Sequence, residues 1–313
     1  VLSYLLGRIA AVVPVVLIVS VMVFMMLRLM PSDPAAIIAG DNATAEQIAG
    51  IRQQLGLDRP ALVQYAKWLA AVAQGDFGES FFFKKKVVDL IAERLEPTLS
   101  LAIMTMIVAV LISVPLGTIA AYYRDSWIDR LVMGFSVLGF SVPVFIIGYL
   151  LIYLLAIGLG LFPVQGYRGL SGGMLGWLKH LVLPTLSLSV IYIALIARIA
   201  RTSVLEVLNE DYIRTARAKG QSEIKVLLRH ALANASVPIV TVIGTGLALL
   251  IGGVVVTESV FTIPGLGRLT VDAVLARDFP TIQAVILLFA LVYVGLNLLV
   301  DITYTILDPR IRY

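Results

Sequence analysis

The stretch IAAVVPVVLIVSVMVFMMLRLM, Ile9 to Met30, is 22 residues long and is interrupted by charge only at Arg28. As a helix rising 1.5 Å per residue it reaches about 33 Å, enough to cross the hydrocarbon core of a bilayer. A secretory signal carries a shorter apolar region and then a small-x-small cleavage site. Here Arg28-Leu29-Met30-Pro31 follows instead, so the run is read as a retained span. Further apolar runs at Thr98 to Tyr122, Leu131 to Gly160, Leu183 to Ala200, Val237 to Val256 and Ile282 to Leu307 bring the predicted total to six.

Composition agrees with that reading. Of 313 residues, 59% are hydrophobic and 14% charged, where a soluble domain carries roughly a quarter charged residues. The mean hydropathy is +0.96. The predicted fold class is therefore an all-α polytopic membrane protein with six transmembrane helices. Pro115, Pro143 and Pro184 fall in or at the ends of the runs, which membrane helices tolerate when neighbours re-satisfy the backbone, and kinks are expected there. The chain has no Cys and two His, His180 and His230, which excludes disulfides, thiol nucleophiles, iron–sulfur clusters and Cys/His zinc sites. Neither G-x-x-x-x-G-K-[ST] nor H-E-x-x-H occurs, so ATP hydrolysis and zinc proteolysis have no motif in this chain.

Placing the N-terminus in the cytoplasm puts twelve Lys and Arg residues in inside segments and four in the two short outside loops, in the sense of the positive-inside rule. Both termini are then inside, and Pro31 to Pro97 is outside. That outside segment carries signals of order. Thr44 and Gln47 form a capping box before Ile48, Ile51 and Leu55, and Gly56 stops the helix. Asp58 is expected to cap a second helix through Gln64, Tyr65 and Trp68 that ends near Gly75. Val87, Leu90, Ile91 and Leu95 have helical spacing and read as an interfacial elbow feeding span two. The triple lysine Lys84 to Lys86 reads as a solvated or headgroup-facing anchor, with a dedicated binding site as the alternative.

The sizeable inside segment runs from Arg198 to Ser236. Within it, Asp211 to Gly220 has acids at its start, bases at its end and Gly at its stop, as the helix dipole and cap geometry favour. A helix this short is marginal alone in water, so it is expected to rest on another protein surface, Ala216, Ala218 and Gly220 permitting close approach. The alternative is a basic loop lying on anionic lipid. A second helix is expected from Ser222, with Ile224, Leu227, Leu228, Ala231 and Leu232 on one face and Lys225 and Arg229 off it.

Arg214 to Gly220 resembles the cytoplasmic EAA loop of binding-protein-dependent ABC importer permeases, E-A-A-x-x-x-G followed by I-x-L-P. Ala216 matches the second Ala, Gly220 the Gly and Leu232 the Leu. Arg214 and Thr215 replace the Glu and first Ala, and Ala233 stands where Pro is expected, with Pro238 five residues on. These departures fit the peptide/nickel branch, which the chain resembles along nearly its whole length. The motifs that carry the resemblance are Leu29 to Ala35 (LMPSDPA), Leu55 to Pro60 (LGLDRP), Gly75 to Ser80 (GDFGES), Asp211 to Gly220, Glu258 to Phe261 (ESVF) with Pro264 to Gly267 (PGLG), Arg277 to Pro280 (RDFP) and Asp308 to Arg312 (DPRIR).

The resemblance implies type I importer permease architecture in a bacterial inner membrane, in the first, B-type, transmembrane subunit of a dipeptide/oligopeptide system. It would pair with a second permease as a heterodimer and with two cytoplasmic ATPase subunits, which would hold the ATP and Mg²⁺. Substrate would arrive from a periplasmic or lipid-anchored binding protein. The chain itself would be non-catalytic and bind no cofactor, metal or nucleic acid. Its organisation would be a first span over 1–30, a periplasmic segment over 31–97, and a core permease domain over 98–313 with the coupling loop at 198–236. The residues expected to couple to the ATPase are Asp211, Tyr212, Arg214, Thr215, Ala216, Arg217, Lys219 and Gly220.

Candidates for lining the path or forming its outer gate are Ser136, Ser141, Thr241, Thr245, Glu258 and Asn297, although Ser and Thr in spans also hydrogen-bond neighbouring helices. Glu258 is expected just past span five, in a loop carrying Pro264, Gly265 and Gly267. Asp301 is read as an ion-pair partner of Arg198 or Arg201, or else as a proton or cation relay. The competing functions are a stand-alone secondary transporter or channel and a membrane enzyme. Nickel chelate, glutathione or another solute of the same branch is the alternative substrate.

Overall fold

The computed structural model describes residues 2–29, 33–39, 43–54 and 56–307. The expected features at 30–32, 55 and 308–313, Arg310 and Arg312 among them, lie outside the described residues. The chain is helical, with an isolated antiparallel bridge between Glu79 and Lys86. It divides into two compact units, one built from Leu2–Arg94 with Leu269–Val294, the other from Leu95–Arg268 with Gly295 onward.

In the first unit, α1 (Leu2–Leu29) is followed by the short helices α2 (Pro34–Ala39), α3 (Ala45–Gln54) and α4 (Ala61–Ala73). The capping box before α3 forms in both directions. Gln47 N–H donates to Thr44 Oγ1 at 3.3 Å, and Thr44 N–H donates to Gln47 Oε1 at 2.9 Å. Gly56 ends the helix with φ +66°, and Leu57 N–H reaches back to Arg52 O at 2.9 Å, the wrapped C-terminus that favours Gly. Helix α4 departs from expectation at its start: Pro60, not Asp58, is the N-cap, and no side chain caps it. Proline suits that place because it lacks the N–H that a helix end leaves unpaired. The α4 helix leans on α1 through Ser20 Oγ and Tyr65 Oη, 2.7 Å apart, and through Phe24, whose ring lies 5.3 Å from Tyr65 and 5.9 Å from Trp68.

Helix α5 (Val87–Tyr122) runs 36 residues through Pro97 and Pro115. The interfacial elbow expected from Val87 is thus the N-terminal part of one long helix and not a separate element. After α5 come α6 (Trp127–Ser141), α7 (Val144–Leu151), α8 (Met174–Leu208), α9 (Asp211–Ala218), α10 (Glu223–Lys225), α11 (Ser236–Val260), α12 (Leu266–Leu275) and α13 (Phe279–Leu307). By length and composition α5, α8, α11 and α13 can each cross a bilayer, whereas the described apolar part of α1, Ala11–Met26, is shorter.

The run expected as one span kinked near Pro143, over Leu131 to Gly160, is two helical halves bent by 102°. Pro143 is the cause. It has no N–H to continue the ladder, and it forces the residue before it out of helical geometry. Val142 accordingly has φ −94° and ψ 121°. Helix α7 then widens into a π-turn over Ile152–Gly158. At Pro115 and Pro184, also expected to kink, α5 and α8 continue as single helices.

The core of the second unit is centred on α8, with Leu183, Leu188, Tyr192, Ile193 and Ile196 packed against Leu101 and Met106 of α5 and Leu250 and Val254 of α11. Small residues set the crossings. A Cβ on Gly117 would lie 2.5 Å from Ala197 O and 2.7 Å from the Ala200 Cβ, and one on Gly139 would lie 2.9 Å from the Ala194 Cβ. Lipid tails are as apolar as the helices, so such close contact, rather than escape from water, holds the helices together. Gly117→Leu is therefore expected to lower resistance to SDS unfolding by about 1–3 kcal/mol. Gly134, whose Cβ would meet nothing within 4 Å, should accept the same change within about 0.5 kcal/mol. Equal losses at the two positions would contradict this packing.

Candidate functional site

The helix α9 forms where expected, and its two faces differ. Ile213 and Ala216 are buried against Val226, with Val207 and Leu208 of α8 packed on the same cluster. Asp211, Tyr212, Arg214, Thr215, Arg217, Ala218, Lys219 and Gly220 are exposed. Of the three small residues expected to allow close approach, Ala216 faces inward and serves the internal contact; Ala218 and Gly220 face out. Gly220 has φ +75°. Its N–H donates to Arg217 O at 2.9 Å, and Gln221 N–H donates to Ala216 O at 3.3 Å. A side chain at Gly220 would meet no atom within 4 Å, so Gly is needed there for its backbone freedom and not for space.

The two arginines of α9 are used differently. Arg217 donates Nε and Nη2 to both oxygens of Glu223 at 3.0 and 3.2 Å, tying the helix end to the start of α10. Arg214 makes a single 3.2 Å contact to Asp211 with both side chains in solvent. Burial and the negative charge of Glu210 push the Tyr212 phenol up, opposed by a hydrogen bond with Asn234.

After α10 the chain forms a π-turn over Val226–Leu232. Its wider ring shifts the phase, so that Val226 and Ala231, five apart, are the buried pair. Ile224 and Leu228, expected on the buried face from a 3.6-residue period, are 73% and 55% exposed. Together with the half-exposed Tyr212 they add apolar surface to the same loop.

The residues considered for the path make local hydrogen bonds. Ser136 is buried and donates to Val132 O at 3.0 Å, while exposed Ser141 donates to Val137 O at 2.9 Å. Thr241 donates to Val237 O at 2.7 Å and exposed Thr245 to Thr241 O at 3.0 Å. Asn297 is half-buried on α13. Each hydroxyl is satisfied by the preceding turn of its own helix.

Glu258, expected beyond the span, lies in the last turn of α11 and is fully buried. Its Oε1 accepts from Thr98 Oγ1 at 2.5 Å and its Oε2 from Arg268 N–H at 2.9 Å. Thr98 Oγ1 in turn accepts from Leu266 N–H at 2.8 Å. The carboxylate thus sits at the N-terminus of α12, where free N–H groups and the helix dipole favour negative charge. Gly265 and Gly267 pack directly on it, and a Cβ at Gly265 would collide with Oε1. Thr98 was readable in the sequence only as the start of a span; its hydroxyl links three elements.

Arg201, considered as a partner for Asp301, donates to both oxygens of Asp129 at 2.5 and 2.6 Å. Arg198 lies over the Phe140 ring at 5.3 Å. Near the other end of α8, Tyr167 donates to Glu96 at 3.2 Å and its oxygen lies 3.2 Å from the Ser100 hydroxyl, and Trp177 Nε1 donates to Ser100 at 3.3 Å. Burial pushes the Tyr167 phenol up. Among the described residues no group of three or more His, Asp or Glu is placed to hold a metal ion.

The Glu258 node generates a stability prediction. Glu258→Gln replaces one acceptor oxygen by a donor, leaving either Thr98 or the Arg268 N–H without its acceptor, at about 1–3 kcal/mol. Gly265→Ala, which has no room, should cost at least as much. Ser141→Ala should change unfolding by less than about 0.5 kcal/mol. SDS titration of the purified chain reads all three, and a Glu258→Gln protein as stable as wild type would show that the node bears no load.

Two family models match the chain: binding-protein-dependent transport system inner membrane component over residues 113–313, and the N-terminal part of such membrane components over residues 1–102. A probable peptide ABC transporter permease protein of Sinorhizobium fredii is 52% identical over 310 residues, covering 99% of both chains. A putative peptide transport system permease protein of Brucella abortus is 47% identical over 311 residues, again 99% of both. A glutathione transport system permease protein of Salmonella paratyphi A is 46% identical over 312 residues, 100% of this chain and 99% of that one. Among solved structures, an inward-facing conformation of the MetNI methionine ABC transporter aligns with a TM-score of 0.59 at 17% identity, covering 70% of this chain and 96% of that one. That likeness speaks for the fold. With family models and full-length relatives in agreement along the chain, the protein belongs to the inner membrane components of binding-protein-dependent transport systems and is a multi-pass permease subunit of an ABC importer.

Proposed function

We propose that this chain forms half of the translocation pathway of an ATP-driven importer of di- and oligopeptides and is moved through α9 by cytoplasmic ATPase subunits. The observation that carries the reading is the construction of α9: an inner face locked to the permease and an outer face left open, closed by a left-handed Gly220. ATP and Mg²⁺ would sit on the ATPases, a second permease would complete the pathway, and a binding protein outside the membrane would deliver substrate. The peptide assignment is supported by the names of relatives at 52% and 47% identity. The glutathione permease at 46% supports a second reading in which the solute is a short modified peptide.

Force on α9 has a short path to the spans. Ile213 and Ala216 grip Val226 on one side and Val207 and Leu208 on the other, so displacement of α9 pulls on both the end of α8 and the approach to α11. Those two helices pack closely: Cβ atoms on Gly246 and Gly253 would lie 3.4 Å from Tyr192 and 3.2 Å from Leu188. Packed helices of this kind shift as bodies and do not deform smoothly. In this reading the loop at 198–236 and both termini lie inside, and the segment at 31–97 lies outside.

Two experiments test the reading. Single cysteines at Gln53 and Gln221, both exposed, should label from opposite sides of sealed vesicles, and labelling from one side would overturn the topology. In the reconstituted complex, Gly220→Val should insert normally yet lose substrate-stimulated ATP hydrolysis and peptide uptake together. A β-branched side chain pays about 1–2 kcal/mol or more in the left-handed region. Arg214→Ala should matter less, since an exposed pair contributes about 0–1 kcal/mol. Wild-type peptide uptake by Gly220→Val at equal subunit levels would leave α9 as a surface loop only.

A further inference from the structure

Asp129 and Arg201 form a two-pronged ion pair that plays no part in the docking of α9. Asp129, in the first turn of α6, is 4% exposed. Both of its oxygens accept from the Arg201 guanidinium, Oδ1 from Nε at 2.5 Å and Oδ2 from Nη2 at 2.6 Å. Oδ2 also accepts from Asp125 N–H at 3.0 Å, and Asp125 sits at φ +63° in the turn between α5 and α6. Ser126 Oγ caps α6 by accepting from Asp129 N–H at 3.4 Å. One carboxylate therefore joins α8 to the head of α6 and to the turn before it.

Adhesion of the two helices does not need this pair. Ala120, Val132 and Ala197 form a buried apolar cluster, and further along α6 a Cβ on Gly139 would lie 2.9 Å from the Ala194 Cβ. A buried ion pair gains little over hydrophobic groups of the same volume, because both charges lose their hydration. What it supplies is register. Apolar contacts between small side chains let one helix slide over another, whereas a planar guanidinium gripping both oxygens of a carboxylate admits one depth and one rotation. Helix α6 is thus pinned to α8 at its head by the fork and near its other end by close packing, so the two translate together.

The two routes by which α9 reaches the spans differ in stiffness. From Arg201 to Leu208 helix α8 is continuous, with neither Pro nor Gly, and it ends in the cluster that grips α9. Between α9 and α11, by contrast, the chain passes through the short α10, the π-turn over Val226–Leu232 and a turn at Ala235. Turns and element ends absorb a displacement that a continuous helix passes on. Movement of α9 is therefore delivered chiefly along α8, and the fork is where α6 takes it up. Beyond the bend at Pro143, α7 packs against the far end of α11: a Cβ on Gly148 would lie 3.2 Å from the Phe261 ring and 3.4 Å from Val260. Phe261 O accepts from Gly166 N–H at 2.8 Å. The bent pair α6–α7 so connects the α9 end of α8 with the loop after α11 that was considered for the outer gate.

We propose that Asp129 and Arg201 are positioning residues for transport: their fork transmits displacement of α8 to the bent pair α6–α7 and so ties ATP hydrolysis to the passage of substrate. This rests on the importer reading above and on α9 as the place where force enters. A link with discrete made and broken arrangements carries such a displacement, where a sliding contact dissipates it.

The test measures peptide imported per ATP hydrolysed by the assembled transporter in sealed vesicles, together with the SDS concentration at which the purified chain unfolds. In Asp129→Leu/Arg201→Met both charges give way to apolar groups, so the chain should unfold at the wild-type SDS concentration or above. Its basal ATP hydrolysis should match wild type, while peptide imported per ATP should fall at least about fivefold, the lower end of common coupling strengths. Arg201→Lys keeps the charge but offers no fork, and it should lower the yield per ATP in the same direction; it decides the matter if the double variant fails to assemble. Gly220→Val should differ from both, losing stimulated hydrolysis and uptake together. Wild-type yield per ATP in the stable double variant, or in Arg201→Lys, overturns the transmission role and leaves the pair as packing alone. A fall of hydrolysis and uptake in equal proportion overturns it as well. A wild-type complex that hydrolyses ATP yet imports no peptide overturns the importer reading itself.

Discussion

Inside a bilayer no water is available to pair with backbone N–H and C=O groups, and lipid offers none of its own, so a crossing segment must satisfy them internally. The long helices α5, α8, α11 and α13 are the direct consequence. Once the backbone is closed in this way, apolar side chains gain little by leaving lipid for protein, and close contact decides which helices adhere. Gly117 and Gly139 let α5 and α6 press on α8 at distances no side chain would allow. Where the ladder is broken, at Pro143, the chain bends sharply.

The buried charges follow the same economy of pairing. Asp129 with Arg201, Glu258 with Thr98 and the start of α12, and Asp278 with Ser80 and Thr281 each meet donors of suitable geometry. A carboxylate so surrounded is costly to disturb, because removing one donor strands the charge. These nodes stand at helix ends, where they fix loops relative to the spans. The α9 region uses the opposite device: its anchoring is apolar and its other face is mostly polar and exposed.

Local rules were legible in the sequence and long-range ones were not. The capping box at Thr44 and Gln47, the stops at Gly56 and Gly220, and the extent of α9 depend on residues a few positions apart. By contrast, the π-turn at Val226–Leu232 changes the period on which the burial of Ile224 and Leu228 had been read, and nothing in their residue types announces it. Pro143 announced a kink but not a bend of 102°. Glu258 looked like a loop residue because hydropathy falls at Thr257, yet α11 continues past it to reach Thr98, 160 positions away. The candidates Ser136, Ser141, Thr241 and Thr245 satisfy themselves within their own helices, a choice that spacing alone does not distinguish from cross-helix bonding.

The central claim is that α9 meets the ATPase with one defined face. A chain without cysteine permits a direct measurement: single cysteines at Ala218 or Tyr212, on the outer face, and at Ile213, on the inner face, each challenged with a short bifunctional cross-linker in the assembled transporter. Ala218→Cys and Tyr212→Cys should join covalently to an ATPase subunit, with a yield that changes on adding nucleotide, and Ile213→Cys should not. Equal yields from both faces, or none from the outer face in a complex that still hydrolyses ATP, would contradict the account.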